Sequence, residues 1–438
     1  MTQTQPVKIG LLGLGTVGGG TISVLNRNAT EIERRAGRAI QVVAASARDI
    51  EKPRDFSTDG IELMTRPEDV VDHPEVDVVV ELIGGCDVAY QMVLRAIEAG
   101  KHVVTANKAL IAHHGNELFA KASEQGVMIA FEAAVAGGIP IIKTVREALA
   151  GNRVEWLAGI INGTSNFILT EMRENATPFA EVLAEAQRLG YAEADPTFDV
   201  DGTDAAHKLA ILAAIAFGTP LNFEAVTKEG IDALEAIDVE NARQLGYRIK
   251  HLGIARWREQ GLELRVHPTL VPEQHILASV DGVMNAVLVR GDAVGPLLLS
   301  GAGAGAEPTA SSVVADIVDV VRALTSDPEN RVPHLAFQAD SLNNVPVLPM
   351  QDTHCAFYLR LMARDRAGVL ADVTDILRAI SIEAIRQTET SGAEEFVPVV
   401  ILTQRIDERL IDEAIARIEA LESVSGRVVK LRVECFGG

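Results

Sequence analysis

The 438-residue sequence predicts an α/β protein with three parts: an N-terminal doubly wound sheet, a central α+β segment and a C-terminal βαββαβ segment. Three observations carry that expectation. The first third alternates short apolar runs with amphipathic stretches, the pattern of a mostly parallel sheet covered by helices. A glycine-rich turn, Gly13-Leu14-Gly15-Thr16-Val17-Gly18, joins the first apolar run to the first amphipathic one. From Thr353 onward the strand and helix signals form a self-contained set.

In order, residues 7–12 read as a buried strand and 18–26 as the start of a helix. Strands follow at 40–45, 76–82, 102–104 and 127–131, with a helix at 88–98. After Pro140 the pattern changes to a helix, a strand near 154–161 and long helices beyond Phe179. Two glycine-rich joints stand out, Ala136-Gly137-Gly138 and Gly301 to Gly305, and the helix after the second is placed to return to the first sheet. The expected domains are 1–135 (completed by about 305–325), 136–304, a linker at 326–352, and 353–438. In the last, strands are expected at 357–362, 397–403 and 428–433, and helices at 368–380 and 411–421.

Composition narrows the function. A formal net charge of -21 lacks the basic footprint a polyanion needs, so neither nucleic acid nor an anionic membrane is an expected partner. Cys86, Cys355 and Cys435 are far apart and form no thiolate metal motif, which favours a reducing compartment. Residues 1–8 lack a signal-peptide core, and 209–217 is far short of the roughly 20 residues of a membrane span. A cytoplasmic protein is expected.

The turn at Gly13 to Gly18 follows a strand and opens a helix, the context that distinguishes a dinucleotide site from a chance glycine pattern. Gly13 would make the turn, Gly15 would let a pyrophosphate approach the backbone, and Gly18 would let helix and strand pack closely. The helix N-terminus would meet the phosphates with unpaired N–H groups, completing a Rossmann domain. Beyond the second strand the chain reads Ser46-Ala47-Arg48-Asp49. Arg48 suits a 2′-phosphate, so NADP is expected, with NAD the alternative because Asp49 is adjacent.

The stretch from Gly190 to Lys208 carries Glu193, Asp195, Asp199, Asp201 and Asp204. It lacks the spacing of a calcium loop. A solvated acidic loop is the bland reading, but the helix that follows is apolar all round and should be buried. Asp204 and Lys208 share a face of it. Lys208 at the threshold of a core has the setting of a tuned proton carrier. Lys108 lies in the loop that follows the strand 102–104, at the carboxyl edge of the sheet, where ligands bind; a surface lysine is the other reading. The run from Glu132 to Gly138 offers carbonyl oxygens to a hard cation, or serves as an interdomain hinge.

These residues together resemble the homoserine dehydrogenase family. The run through Gly190, Asp195-Pro196, Asp199, Gly202, Asp204 and Lys208 carries the most specific likeness. The glycine turn, Thr105-Ala106-Asn107-Lys108, Phe131-Glu132-Ala133 and residues 161–166 follow in that family's order. The resemblance implies interconversion of L-homoserine and L-aspartate 4-semialdehyde, within threonine, methionine and isoleucine biosynthesis. It implies Lys208 as proton donor and acceptor, with Lys108 between cofactor and substrate. Glu193, Asp199 and Asp204 would bind substrate. Thr16, Val17, Thr105 and Gly305 would join the cofactor site. Glu132, Val135, Gly137 and Ile139 would hold a monovalent cation, with sodium the expected occupant.

The tail from Leu361 to Val373 is similar to an ACT domain, a ferredoxin-like module that commonly binds amino acids. It implies feedback, with threonine the leading effector and Asp365 to Gly368 the ligand turn; an oligomerisation module is the alternative. A homodimer or homotetramer is expected, and no kinase-like segment precedes the first strand. Two rivals remain: an aldehyde-oxidising semialdehyde dehydrogenase using Cys86, and a sensor of cofactor and amino acid without catalysis.

Overall fold

The computed structural model describes residues 5–387 and 395–436. Contacts divide the chain into two units: Met1–Gly163, Asp204–Val226 and Met284–Val345 form the first, and Thr164–Thr203, Thr227–Val283 and Pro346–Gly438 the second.

In the first unit, β1 (Val7–Leu12), β2 (Ile40–Ser46), β3 (Glu62–Met64), β4 (Val78–Glu81), β5 (His102–Thr105) and β6 (Ile129–Ala130) form a parallel sheet in the order 3-2-1-4-5-6. That order reverses between β1 and β4, which opens a crevice at the carboxyl ends of the strands. The central strands are apolar throughout because both faces are covered: Val7, Ile9, Leu11, Val78 and Val80 are fully buried. The helix Ala306–Ala323 joins the same core through Ala310, Val313 and Ile317. It packs so closely on the helix Thr16–Arg27 that a Cβ on Gly20 would lie 2.5 Å from the Ala306 carbonyl oxygen. Three further strands of this unit, Val154–Ile160, Met284–Gly291 and Gly295–Ala302, are antiparallel neighbours with Met284–Gly291 in the middle.

The second unit is built on the hairpin Tyr247–Arg258 and Gly261–Pro272. Its second strand pairs in parallel with Val424–Val433, matching Thr269 to Arg432 and Leu270 to Val433. The sheet continues through His354–Arg364, Phe396–Thr403 and Ile382–Gln387, all antiparallel. The tail therefore shares a sheet with the central segment, and also a core. Tyr358, Val400, Leu402 and Leu431 pack with Phe167, Val182 and Leu270, while Val399 and Ile401 face the tail's own helices. The alternation along Phe396–Thr403 serves two cores, so no polar residue interrupts the run from Val397 to Leu402.

The α/β class and the parallel N-terminal sheet agree with expectation; several local features differ. The strand read at 127–131 is only two residues long, because a 3-10 turn at Glu132–Ala134 follows it. The helix after Pro140 is one turn of α-helix, Ile141–Lys143, continued as the π-helix Thr144–Ala148. The hairpin of the second unit was not expected at all. Among the described residues no helix is long and apolar enough to cross a membrane.

Candidate active site

The glycine turn sits at the crevice of the parallel sheet. Gly13 has φ +99°, and a Cβ there would lie 2.8 Å from the Leu82 carbonyl oxygen. A Cβ on Gly18 would lie 2.1 Å from the Gly13 carbonyl oxygen, so helix and turn can close only on glycine. Gly15 differs: a Cβ there would meet nothing within 4 Å. Its missing side chain leaves room for something outside the chain. Gly15 is also the N-cap of the helix Thr16–Arg27 and supplies no side chain to cap it, so the first N–H groups face the crevice beside exposed Thr16 and half-buried Val17. The Gly13 N–H donates to the Ser46 carbonyl, tying the turn to the end of β2. Just beyond, Arg48 is exposed, whereas the Asp49 carboxylate accepts the N–H groups of Glu51 and Lys52 and is engaged in its own turn.

At the ends of β4 and β5 a buried carboxylate organises the next segment. Glu81 accepts the Thr105 hydroxyl at 2.6 Å and the N–H groups of Ile83 and Gly84. Burial pushes its pKa up, against these hydrogen bonds. The Thr105 Oγ1 in turn accepts the Asn107 N–H, and Asn107 caps the helix Lys108–Glu124 through the Leu110 N–H. This chain of bonds presents Lys108 as the first residue of that helix. Sequence reasoning missed Glu81; the available signal was a charge closing an otherwise apolar strand.

Lys108 and Lys208 meet on one carboxylate. Lys208 Nζ donates to Asp204 Oδ2 at 2.6 Å and to the Ile161 carbonyl at 2.7 Å. Lys108 Nζ lies 3.0 Å from Asp204 Oδ1, and Asn162 Nδ2 donates to Oδ2 at 2.9 Å. Lys208 is buried, while Lys108 is 40% exposed. Burial alone would raise the Asp204 pKa, but the two ammonium groups and their hydrogen bonds hold it well below the usual carboxylate range. Two cations on one anion leave a local charge of +1 in a strongly acidic protein. That charge suits a ligand carboxylate or a developing alkoxide. Asn162 and the Ile161 carbonyl were not foreseen as site groups.

Beside Lys208, His207 Nε2 is 3.2 Å from His113 Nε2, and both rings pack on Phe223. Burial, then the nearby His113, lowers the His207 pKa to about 4, so it is neutral at pH 7.

The remaining carboxylates of the acidic stretch belong to the second unit and have different roles. Asp195 accepts the Thr197 N–H and hydroxyl, and Asp201 accepts the Thr203 N–H and hydroxyl, so each is engaged at the first residue of a helix, Thr197–Val200 and Thr203–Phe217. Asp199 lies in the helix Thr197–Val200, where its carbonyl accepts the Ser165 hydroxyl. Glu193 is exposed.

The two glycine-rich joints abut within the first unit. A Cβ on Gly137 would lie 2.5 Å from the Gly303 carbonyl oxygen, and the Gly138 N–H donates to the Ala302 carbonyl. Gly305, with φ +120°, is the N-cap of the helix Ala306–Ala323. Glu132 is buried, and its two carboxylate oxygens accept the N–H groups of Ile142 and Lys143 at 2.8 and 2.7 Å. Burial still raises its pKa to about 7. The Gly137 carbonyl accepts the Ser312 hydroxyl, the Ile139 carbonyl accepts the Ile141 N–H, and Val135 is buried beside them in sequence.

Cys86 lacks the setting of a nucleophile. Burial, then the charges of Asp87 and Glu81, raise its pKa, whereas a reactive thiol needs the opposite. A cavity of about 980 Å³ walled by Phe119, Met128, Asp316 and His334 contains none of the predicted site residues.

Comparison with known proteins adds to this geometry. Residues 13–132 match the model "Homoserine dehydrogenase, NAD binding domain", and residues 140–318 match the model "Homoserine dehydrogenase". The chain is 63% identical to a homoserine dehydrogenase of Pseudomonas aeruginosa over 433 residues, covering 98% of this chain and 99% of the relative. A crystal structure of a homoserine dehydrogenase from Thiobacillus denitrificans is 61% identical, with a TM-score of 0.94 and 99% of both chains covered. A hyperthermophilic archaeal homoserine dehydrogenase solved in complex with NADPH is 27% identical, with a TM-score of 0.60, covering 72% of this chain and 98% of that one. With a dinucleotide turn and a lysine-bracketed carboxylate in place, the chain belongs to the homoserine dehydrogenase family, oxidoreductases that carry an NAD-binding domain.

Proposed function

We propose that this chain interconverts L-homoserine and L-aspartate 4-semialdehyde with NADP, and that Lys208 moves the proton at the substrate oxygen. The observation that carries the reading is the bracket of Lys208 and Lys108 on Asp204, in the unit that also bears the glycine turn. A bound nicotinamide supplies the hydride exchange. In the oxidising direction Lys208 takes the hydroxyl proton as an amine; in the reducing direction it returns that proton as an ammonium. Asp204 and the Ile161 carbonyl hold Nζ in place, and the local +1 charge favours an alkoxide at that point. Lys108, between cofactor and substrate, adds to the same field. Glu193 and Asp199 supply carboxylates for the substrate ammonium.

For the cofactor, Gly13, Gly15, Thr16, Val17 and Gly18 present the helix N-terminus to the pyrophosphate, with Thr105 and Gly305 nearer the nicotinamide. Arg48 meets the 2′-phosphate; the engagement of Asp49 in its own turn supports NADP over NAD. The archaeal relative's complex with NADPH points the same way.

Glu132, with the carbonyls of Val135, Gly137 and Ile139, fits a monovalent cation such as sodium. Burial disfavours the ionised form of Glu132, which a bound cation would favour, and the Gly137 and Ile139 carbonyls each keep a second lone pair beyond the bond already made. The C-terminal segment reads as an ACT module that binds an amino-acid effector, threonine first. In support, the turn at Asp365 to Gly368 borders a small cleft walled by Leu361, Val369 and Val397. Half-buried Leu297, Leu298 and Leu299 on an edge strand suit association into a dimer or tetramer.

The test is turnover and cofactor affinity for the wild type and Lys208→Ala. A loss of roughly 10²- to 10⁴-fold in kcat with unchanged NADP binding is expected for a missing proton carrier. Near-normal turnover would remove Lys208 from the mechanism.

A further inference from the structure

The acidic stretch is held from behind. Glu229 and its neighbours run alongside residues 199–203 within the second unit. The Ile231 N–H donates to the Val200 carbonyl at 2.9 Å, and a Cβ on Gly230 would lie 2.6 Å from that oxygen and 3.0 Å from Asp201 Cα. Lys228 Nζ pairs with Asp201 at 2.5 Å and bonds the Thr203 hydroxyl. The Glu229 backbone is itself anchored: its N–H donates to the Val266 carbonyl at 2.8 Å, and its carbonyl accepts His251 Nε2 at 2.9 Å. The same His251 ring lies against Gly202, whose φ of +87° closes the loop.

The Glu229 side chain points the other way. Both of its oxygens accept the Arg432 guanidinium, at 2.7 and 2.8 Å. Arg432 is 1% exposed on the last strand, Val424–Val433, and also pairs with buried Glu408. Lys430 binds Glu408 in turn. A bidentate arginine–carboxylate pair fixes direction as well as distance.

We propose that Glu229 is a positioning residue, which transmits the placement of the C-terminal strand to the loop carrying Asp199 through its ion pair with Arg432. The proposal rests on the reading of Asp199 as a substrate-binding carboxylate. It makes the C-terminal segment part of the support for substrate binding. A shift of Val424–Val433 is transmitted to Glu229, and from there through Gly230 and Ile231 to Val200 and Asp201.

Glu229→Gln is a mild probe, because Arg432 keeps Glu408 as its counter-charge and the buried guanidinium stays paired. Three measurements on the full chain test it: steady-state kinetics, thermal unfolding, and hydrogen exchange of residues 195–203. For Glu229→Gln the KM for homoserine should rise roughly 3- to 10-fold, the range for a residue acting through another, while kcat and the KM for NADP change little. Exchange at 195–203 should quicken, the melting temperature should hold, and Glu229→Asp should recover part of the affinity. Wild-type exchange with wild-type KM would overturn the proposal, as would a fall in melting temperature with faster exchange everywhere. Faster exchange confined to 195–203 with an unchanged KM would uphold the tie and instead sink the assignment of substrate binding to Asp199.

Discussion

Single residues decide the chemistry here by the company they keep. Lys208 and Asp204, four apart on one helix, would contribute little to stability at a surface. In this core the pair is buried, shared with Lys108 and Asn162, and fixed to a backbone carbonyl. The same logic separates Arg48 from Asp49: both are exposed, but the Asp49 carboxylate is already engaged by the N–H groups of Glu51 and Lys52. Arg48→Ala should lower kcat/KM for NADP by about 10- to 100-fold, the usual range for one charge-assisted contact, and leave the value for NAD nearly unchanged. Equal losses with both cofactors would show that Arg48 does not read the 2′-phosphate. Glu132 gives a pH test. Its pKa is raised on folding, so ionising it costs stability as pH climbs from the usual carboxylate range to about 7, and the cost is complete above that. A cation that holds the ionised form offsets this cost. Sodium chloride should therefore raise the melting temperature more than choline chloride does, with a larger difference at about pH 8 than at about pH 6. The difference should vanish in Glu132→Gln. Equal shifts with both salts at both pH values would remove the cation from Glu132.

At the scale of elements, what the sequence shows depends on where the charges point. The parallel strands were legible because both of their faces are apolar, and the helix carrying Lys208 because it is apolar all round. The positions of Lys108, Asp204 and Lys208 followed from those elements. The strand Gly261–Pro272 was not legible. Its Glu263, Arg265, His267 and Thr269 alternate with Leu262, Leu264, Val266 and Leu270, which suggests a solvated face. The structure buries that face and satisfies it with charge. Arg265 pairs with Glu263 and Glu434, and Arg256 pairs with Glu434 from the neighbouring strand and C-terminal edge. The partner Glu434 lies far away in sequence, and no local pattern announces it. Glu81 escaped notice for a related reason, since its partners at Thr105 and the following loop are gathered only by the sheet. Arg265→Ala leaves Glu434 buried without its nearest counter-charge, so chemical denaturation should show a loss of about 3–5 kcal/mol. Removing Arg34 from the exposed pair with Glu31 should change nothing measurable. A small loss at Arg265 would mean that water reaches the cluster.

For the whole molecule, a net charge of -21 coexists with a local +1 at the bracket of Lys108, Asp204 and Lys208. A positive point of this kind within an acidic chain suits a small anion or alkoxide. The C-terminal segment shares its sheet and one core with the central segment, a union invisible in the sequence because each half reads as complete by itself. The central question for the molecule is whether the lysine bracket performs a homoserine-dependent redox reaction. The most direct measurement is the near-ultraviolet absorbance of reduced nicotinamide, followed with NADP and L-homoserine for the wild type and Lys208→Ala side by side. Steady formation of NADPH is expected, requiring homoserine and all but disappearing in the variant, while NADP still binds. No homoserine-dependent signal from the wild type, or an equal signal from both proteins, would contradict it.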